Sequence, residues 1–308
     1  MTTTDRELSL PTDVDGTQTT TPCARVVDID GIPMSALLSE APDPRAVIVA
    51  LHGGATNSAY YDCPGHPELS LLRFASALGY TVLALDRPGY GTSAPFAVEI
   101  APHQRRVDLT YAAIDHHLGS RPRGAGVFVW AHSAGSELAV RMAADERGTD
   151  LLGIELAGTG HEHQPVAAEI LGTPHQPAPP EAVRELLWQP SHLYPTELIG
   201  GAPIASSTPR YESGVLATWA RIDFPALAAR IRVPVHFTAA EFEKVWRIDS
   251  AALQDIAAMF TAAPSVTVNE QAGSGHNLSL GHGAPDYYAK VLSFVEHCTH
   301  STTGKDDD

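Results

Sequence analysis

The chain has 308 residues, 44% hydrophobic and 18% charged, with a formal net charge of −16. A chain of this length buries roughly three quarters of the surface its unfolded form exposes, which excludes wholesale disorder and suits one large α/β domain or two small ones. The acidic excess repels polyphosphate and anionic lipid, so neither nucleic acid nor a membrane is expected as a partner.

Residues 1–24 begin MTTTDRELSLPTDVDG, with neither a basic start nor an apolar core segment, so they read as a disordered tail of a non-exported, cytoplasmic protein. Cys23, Cys63 and Cys298 are an odd number at wide spacing, which fits reduced thiols better than a disulfide framework or a zinc cluster. Strands are expected at 46–51, 81–85, 126–130, 151–156, 233–237 and 265–268, all short apolar or β-branched runs. Runs without polar alternation suit strands covered on both faces, the mark of a parallel sheet. Apolar residues at three- and four-residue spacing place helices at 68–78, 104–118, 136–144, 249–260 and 285–296. The alternation implies a mostly parallel, doubly wound sheet built from βαβ crossovers. Residues 161–210 break the rhythm with nine of the 24 prolines, which cannot donate ladder hydrogen bonds and so indicate an irregular cap rather than more sheet. The polar ending STTGKDDD makes 299–308 a second disordered tail.

Residues 127–139 read Val-Phe-Val-Trp-Ala-His-Ser-Ala-Gly-Ser-Glu-Leu-Ala, an apolar strand passing through a tight turn into a helix. Ser133 at such a turn is held above the sheet edge, and the residues two before and two after it, Ala131 and Gly135, are small enough to let the turn close. The strand ending at Leu51 runs into His52-Gly-Gly-Ala-Thr56, where glycines let backbone approach a substrate oxygen. The amides of Gly54 and Ala134 are therefore the expected oxyanion hole. His276, in Gln271-Ala-Gly-Ser-Gly-His-Asn277 between the last strand and the last helix, is the expected base, and the strand ending near Thr238 leads to two candidate carboxylates, Glu241 and Glu243.

Together these elements, with Leu85-Asp-Arg-Pro-Gly-Tyr-Gly-Thr-Ser93, resemble the α/β-hydrolase superfamily over about residues 25–298. Ala131 departs from the family's Gly-x-Ser-x-Gly. The resemblance implies a core at 25–158 and 231–298, with a cap at 159–230 inserted between strands six and seven. The family often reads Gly-Glu-x-Asp after strand seven. That register makes Glu243 the acid and Glu241 a structural neighbour, while the family's alternative acid position, before the cap, would fall on Glu162. The implied activity is that of a cofactor-independent serine hydrolase, cleaving an ester-type bond of a small apolar substrate through an acyl-enzyme. A natural-product tailoring enzyme with the same triad (thioesterase, cyclase or acetate-eliminating lyase) is the alternative, and a non-catalytic binder a third. Trp188 and Trp219 in the cap, and His132 beside the serine, are the expected substrate-binding residues. His161-Glu-His163 lacks a third nearby ligand, so no metal is expected, and Gly158-Thr-Gly160 lacks the third glycine of a dinucleotide fingerprint. No sequence pattern specifies the oligomeric state.

Overall fold

The aliphatic runs assemble into one sheet. In the computed structural model, which describes residues 21–171 and 180–303, its strands are β1 (Cys23–Ile29), β2 (Ile32–Ser39), β3 (Val47–Leu51), β4 (Thr81–Leu85), β5 (Val127–His132), β6 (Leu151–Ala157), β7 (Val235–Ala240) and β8 (Val266–Gln271). Their order across the sheet is β1-β2-β4-β3-β5-β6-β7-β8. Strands β3 to β8 are parallel to one another, and β2 runs antiparallel to both β1 and β4.

Strands β3, β4, β6 and β7 are buried at every residue because both faces of the sheet are covered. Alternate residues of β3 feed different cores. Val47, Val49 and Leu51 pack with helices His103–Leu118, Ala134–Ala144 and Ser250–Met259, whereas Ile48 and Ala50 pack with helices Leu71–Ala77 and Ala284–Thr303. Each aliphatic side chain so enclosed contributes about 1.5–3 kcal/mol.

Two boundaries differ from the sequence reading. Cys23 and Ala24, assigned to the tail, lie in β1 opposite Leu38 and Leu37. The β1–β2 hairpin alternates buried and exposed residues, so a search for continuous apolar runs passes over it. Its turn has Asp30 at φ 53° and Gly31 at φ 84°, the two left-handed residues a tight hairpin of this twist requires. At the other end, residues 299–303 continue the last helix instead of forming a tail. Buried Phe294, Val295 and Cys298 anchor that helix, and Thr299 Oγ1 bonds the Glu296 carbonyl. The remaining tail positions, 1–20 and 304–308, lie outside the described residues, as do 172–179 of the cap.

Between β6 and β7 the described residues add no strand to the sheet. They form helices Pro165–Leu171, Pro180–Leu187, Arg210–Thr218 and Phe224–Ala228, a π-turn at Trp219–Asp223 and short 3-10 turns. Among the described residues no helix is long and apolar enough to cross a membrane.

Candidate active site

Ser133 follows β5 directly and has φ 52° and ψ −123°, a left-handed conformation that a residue with a side chain adopts only under constraint. The constraint is visible: its N–H donates to the Ala157 carbonyl at 2.8 Å, and its carbonyl accepts from the Ser136 N–H at 2.9 Å. A Cβ on Gly135 would collide with the carbonyl oxygens of Leu51 and His52, so the helix start can lie against the end of β3 only with glycine there. A Cβ on Gly53 would stand 3.3 Å from Ser133 Cβ, which shows how closely the β3 loop approaches the serine.

His276 lies on the loop after β8, and three contacts fix that loop. Glu241 Oε2 accepts from the Gly273 N–H at 2.7 Å, Tyr194 Oη accepts from the Asn277 N–H at 3.3 Å, and His132 Nε2 donates to the His276 carbonyl at 2.8 Å. The imidazole then bridges two partners. Its Nδ1 is 3.0 Å from both Oε1 and Oε2 of Glu243, and its Nε2 is 3.3 Å from Ser133 Oγ. A carboxylate can only accept, so the proton is on Nδ1 and the Nε2 lone pair faces the serine hydroxyl. Glu243 is itself held, its Oε1 accepting from the Val245 N–H at 2.8 Å and its carbonyl from Gln164 Nε2 at 2.6 Å. Both Glu243 and His276 are buried.

The other two carboxylates are elsewhere. Glu241 is exposed and bound to Gly273, and Glu162 pairs at the surface with Arg247 Nη1 at 2.6 Å, so neither approaches His276. Gly54 and Ala134 are neighbours: a Cβ on Gly54 would lie 3.7 Å from Ala134 Cβ, and Ala134 opens the helix after Ser133, where amide N–H groups lack intrahelical acceptors.

A cavity of about 550 Å³ opens on Ser133, Gly53, Gly54 and His276, with Tyr60, Leu187 and Trp188 in its wall. Trp188, expected from the sequence to bind substrate, lines this cavity and is set edge-on to Tyr194 at 5.2 Å. Trp219 is not in this wall. It opens the π-turn Trp219–Asp223, stacks on Phe224 at 5.1 Å, and has its Nε1 3.4 Å from Thr159 Oγ1. His132 does line the cavity, but its Nε2 proton is committed to the His276 carbonyl and its ring is stacked on Tyr60 at 4.6 Å. Burial, then the neighbouring His276, holds the His132 pKa well below the usual histidine range, so the ring is neutral. Sequence reasoning missed Gln164 and the contact of the Tyr194 hydroxyl with the His276 loop.

His161, Glu162 and His163 border a separate cavity of about 660 Å³ with Arg221, Arg247 and Asp249, which shares no lining residue with the first. Among the described residues no three His, Cys, Asp or Glu side chains are grouped to hold a metal ion.

Residues 48–291 match the model of the "Alpha/beta hydrolase family". Protein ABHD14A of Danio rerio is 42% identical over 66 residues, which is 21% of this chain and 22% of that protein, so the chain matches only about a fifth of the length of this curated relative. A thermostable carboxyl esterase from Bacillus coagulans superposes with a TM-score of 0.64 at 17% identity, over 92% of this chain and 100% of that one. A lipase in an open form gives 0.62 at 17% identity, over 90% and 99%. Those identities speak for the fold alone, whereas the family match spans most of the sequence: the chain belongs to the alpha/beta hydrolase family.

Proposed function

We propose that the chain is a serine hydrolase that cleaves an ester-type bond of a small apolar substrate through a covalent acyl-enzyme. The observation that carries this reading is the hydrogen-bonded run from Glu243 through His276 to Ser133, ending on a serine held at positive φ. In this scheme Ser133 Oγ attacks the carbonyl carbon while its proton passes to His276 Nε2, and Glu243 stabilises the imidazolium that forms. The Gly54 and Ala134 amides donate to the oxyanion of the tetrahedral intermediate. As the intermediate collapses, His276 returns the proton to the departing alkoxide, and the alcohol leaves. Water then attacks the acyl-serine carbonyl, giving its proton to His276; collapse releases the acid and restores the Ser133 hydroxyl. Every atom in this scheme comes from substrate, chain and water. The cavity's volume and the apolar surfaces of Leu187 and Trp188 support a small apolar acyl group.

The test is labelling with a fluorophosphonate followed by peptide mapping. Label on Ser133, absent from Ser133→Ala, supports the reading. A label on another residue, or none on the folded wild-type chain, overturns it.

A further inference from the structure

Behind the Gly54 loop lies a buried ion pair that the acyl-transfer steps do not use. Arg87, two residues past β4, and Glu212, on helix Arg210–Thr218 of the cap, meet at 2.9 Å between Nη2 and Oε2, with side chains 2% and 4% exposed. Tyr90 closes the group. Its hydroxyl donates to Glu212 Oε1 at 2.7 Å and accepts from the Ala55 N–H at 3.3 Å, and its ring lies 4.6 Å from the Arg87 guanidinium. Burial alone would weaken the Arg87 charge, but Glu212, Tyr90 and Tyr211 together more than offset it and leave the pKa raised.

This group grips backbone at the candidate oxyanion hole. The Gly53 carbonyl lies within hydrogen-bond reach of His52 Nδ1 at 2.8 Å, Arg87 Nη2 at 3.0 Å and Thr56 Oγ1 at 3.1 Å. The His52 tautomer is fixed because its Nε2 accepts from the Arg87 N–H at 3.1 Å, which leaves the proton on Nδ1. In a trans peptide the carbonyl and the following N–H point in opposite directions, so donors on the Gly53 oxygen set the direction of the Gly54 N–H. A cation on that oxygen also polarises the amide and strengthens its N–H as a donor. The next peptide is held by Tyr90 through the Ala55 N–H. Glu212 itself lies over Gly54, where a Cβ would be only 2.9 Å from Oε1. An unneutralised carboxylate there would oppose an oxyanion forming at the Gly54 N–H.

We propose that Arg87, paired with Glu212 of the cap, is a positioning residue for the Gly54 amide, so that seating of the cap is coupled to oxyanion stabilisation. The proposal rests on the serine-hydrolase reading above. Arg87 aligns the peptide and neutralises the carboxylate, and Glu212 keeps Arg87 in place. Loss of Arg87 does double harm, since it frees the peptide and leaves Glu212 unpaired beside the oxyanion.

The experiment uses the full chain, p-nitrophenyl acetate, whose short acyl group does not report on the apolar wall, and a trifluoromethyl ketone, whose serine adduct carries an oxyanion. Arg87→Met is expected to lower kcat about 100-fold, the size of losing one oxyanion donor, with the same factor lost in ketone affinity and a KM within about threefold of wild type. Adding Glu212→Gln to Arg87→Met is expected to restore kcat about tenfold, because the unpaired buried carboxylate is gone. Glu212→Gln alone keeps the side chain's shape and the Tyr90 hydrogen bond, and is expected to lower kcat and ketone affinity together by about tenfold; it carries the same comparison if Arg87→Met fails to fold. Folded variants that lose thermal stability but keep wild-type kcat and ketone affinity would show a structural role only and overturn the proposal, as would a rise in KM alone. A folded wild-type chain that neither takes the fluorophosphonate on Ser133 nor hydrolyses the ester overturns the serine-hydrolase reading, and the coupling with it. A wild type that does both, beside variants of unchanged ketone affinity, overturns the coupling alone.

Discussion

The carboxyl edge of the sheet and the cap above it are held in place by different physics. At the sheet edge each chemical group follows a strand: Gly54 comes three residues after β3, Ser133 one after β5, Glu243 three after β7 and His276 five after β8. Ladders and buried aliphatic faces fix those starting points. The cap adds no ladder to the sheet and is held to the core by separate ties, some between backbones, such as the Ser206 N–H on the Ala55 carbonyl and the His282 N–H on the Leu193 carbonyl, and some through side chains. Asn277 Nδ2 reaches the Leu187 carbonyl at 2.9 Å, Arg87 meets Glu212, and the Tyr211 hydroxyl donates to the Pro88 carbonyl. A frame can therefore keep reacting groups aligned while the cap changes piecemeal, and substitutions in the two regions should fail in different ways.

The largest effect belongs to the frame. Ser133→Ala is expected to remove at least about 10⁴-fold of kcat, as loss of one member disables a triad acting as a unit, while the melting temperature stays within a few degrees of wild type. Steady-state kinetics with calorimetry checks both. A variant retaining a tenth of wild-type turnover would break the comparison, because the chemistry would then lie elsewhere.

Glu243→Gln comes next, with an expected loss of about 10²- to 10⁴-fold, since a carboxamide does not enforce the Nδ1–H tautomer or balance the imidazolium. Glu162→Gln, at a surface ion pair, is expected to stay within about twofold. Glu241→Gln, which can still accept from the Gly273 N–H, is expected to stay within about threefold. Near-normal rates for Glu243→Gln beside a large loss in either of the others would reassign the acid.

These contrasts follow what could be read in the sequence. The buried parallel strands and their helices were legible because each repeats one simple pattern over many residues. Ser133, Gly54 and His276 were legible because each sits at a fixed offset from such a strand. The β1–β2 hairpin was missed for lack of a continuous apolar run, although Asp30-Gly31 marks its turn. The cap was legible only as a negative, an absence of ladder. That Trp188 lines the cavity and Trp219 does not had no signal in the sequence, and the π-turn at Trp219–Asp223 has no periodicity to read. Likewise, nothing near Glu212 in sequence announces Arg87, 125 positions earlier.

The two tryptophans sharpen the difference inside the cap. Trp219→Ala empties a buried site against Phe224 and is expected to cost about 3–5 kcal/mol of stability, without changing selectivity between short and long acyl chains. Trp188→Ala removes part of the cavity wall and is expected to change the ratio of kcat/KM between p-nitrophenyl octanoate and acetate about tenfold. Denaturant titration and the paired esters read these effects separately. Equal selectivity changes in both variants would mean that the cap acts as one body.

The smallest effect tests whether the frame's stability can be changed without touching its chemistry. His117, on helix His103–Leu118, is buried, with Nε2 donating to the Met34 carbonyl at 3.1 Å, and burial pushes its pKa down to about 4 from an ordinary 6.5. Between those values the unfolded chain holds the proton and the folded chain does not. Its contribution is therefore fully present above pH 6.5 and declines as the pH falls toward about 4. His52 and His132, depressed by burial at the site edge, act in the same direction. The melting temperature is thus expected to fall by several degrees between pH 7 and pH 5. His117→Gln, whose amide can still donate to Met34, is expected to flatten that fall, and the pH profile of kcat/KM should not move because His117 lies outside the active-site cavity. An unchanged slope in the variant would assign the acid sensitivity to the other histidines that burial depresses, His52 and His132 at the edge of the candidate site and His163 beside the second cavity.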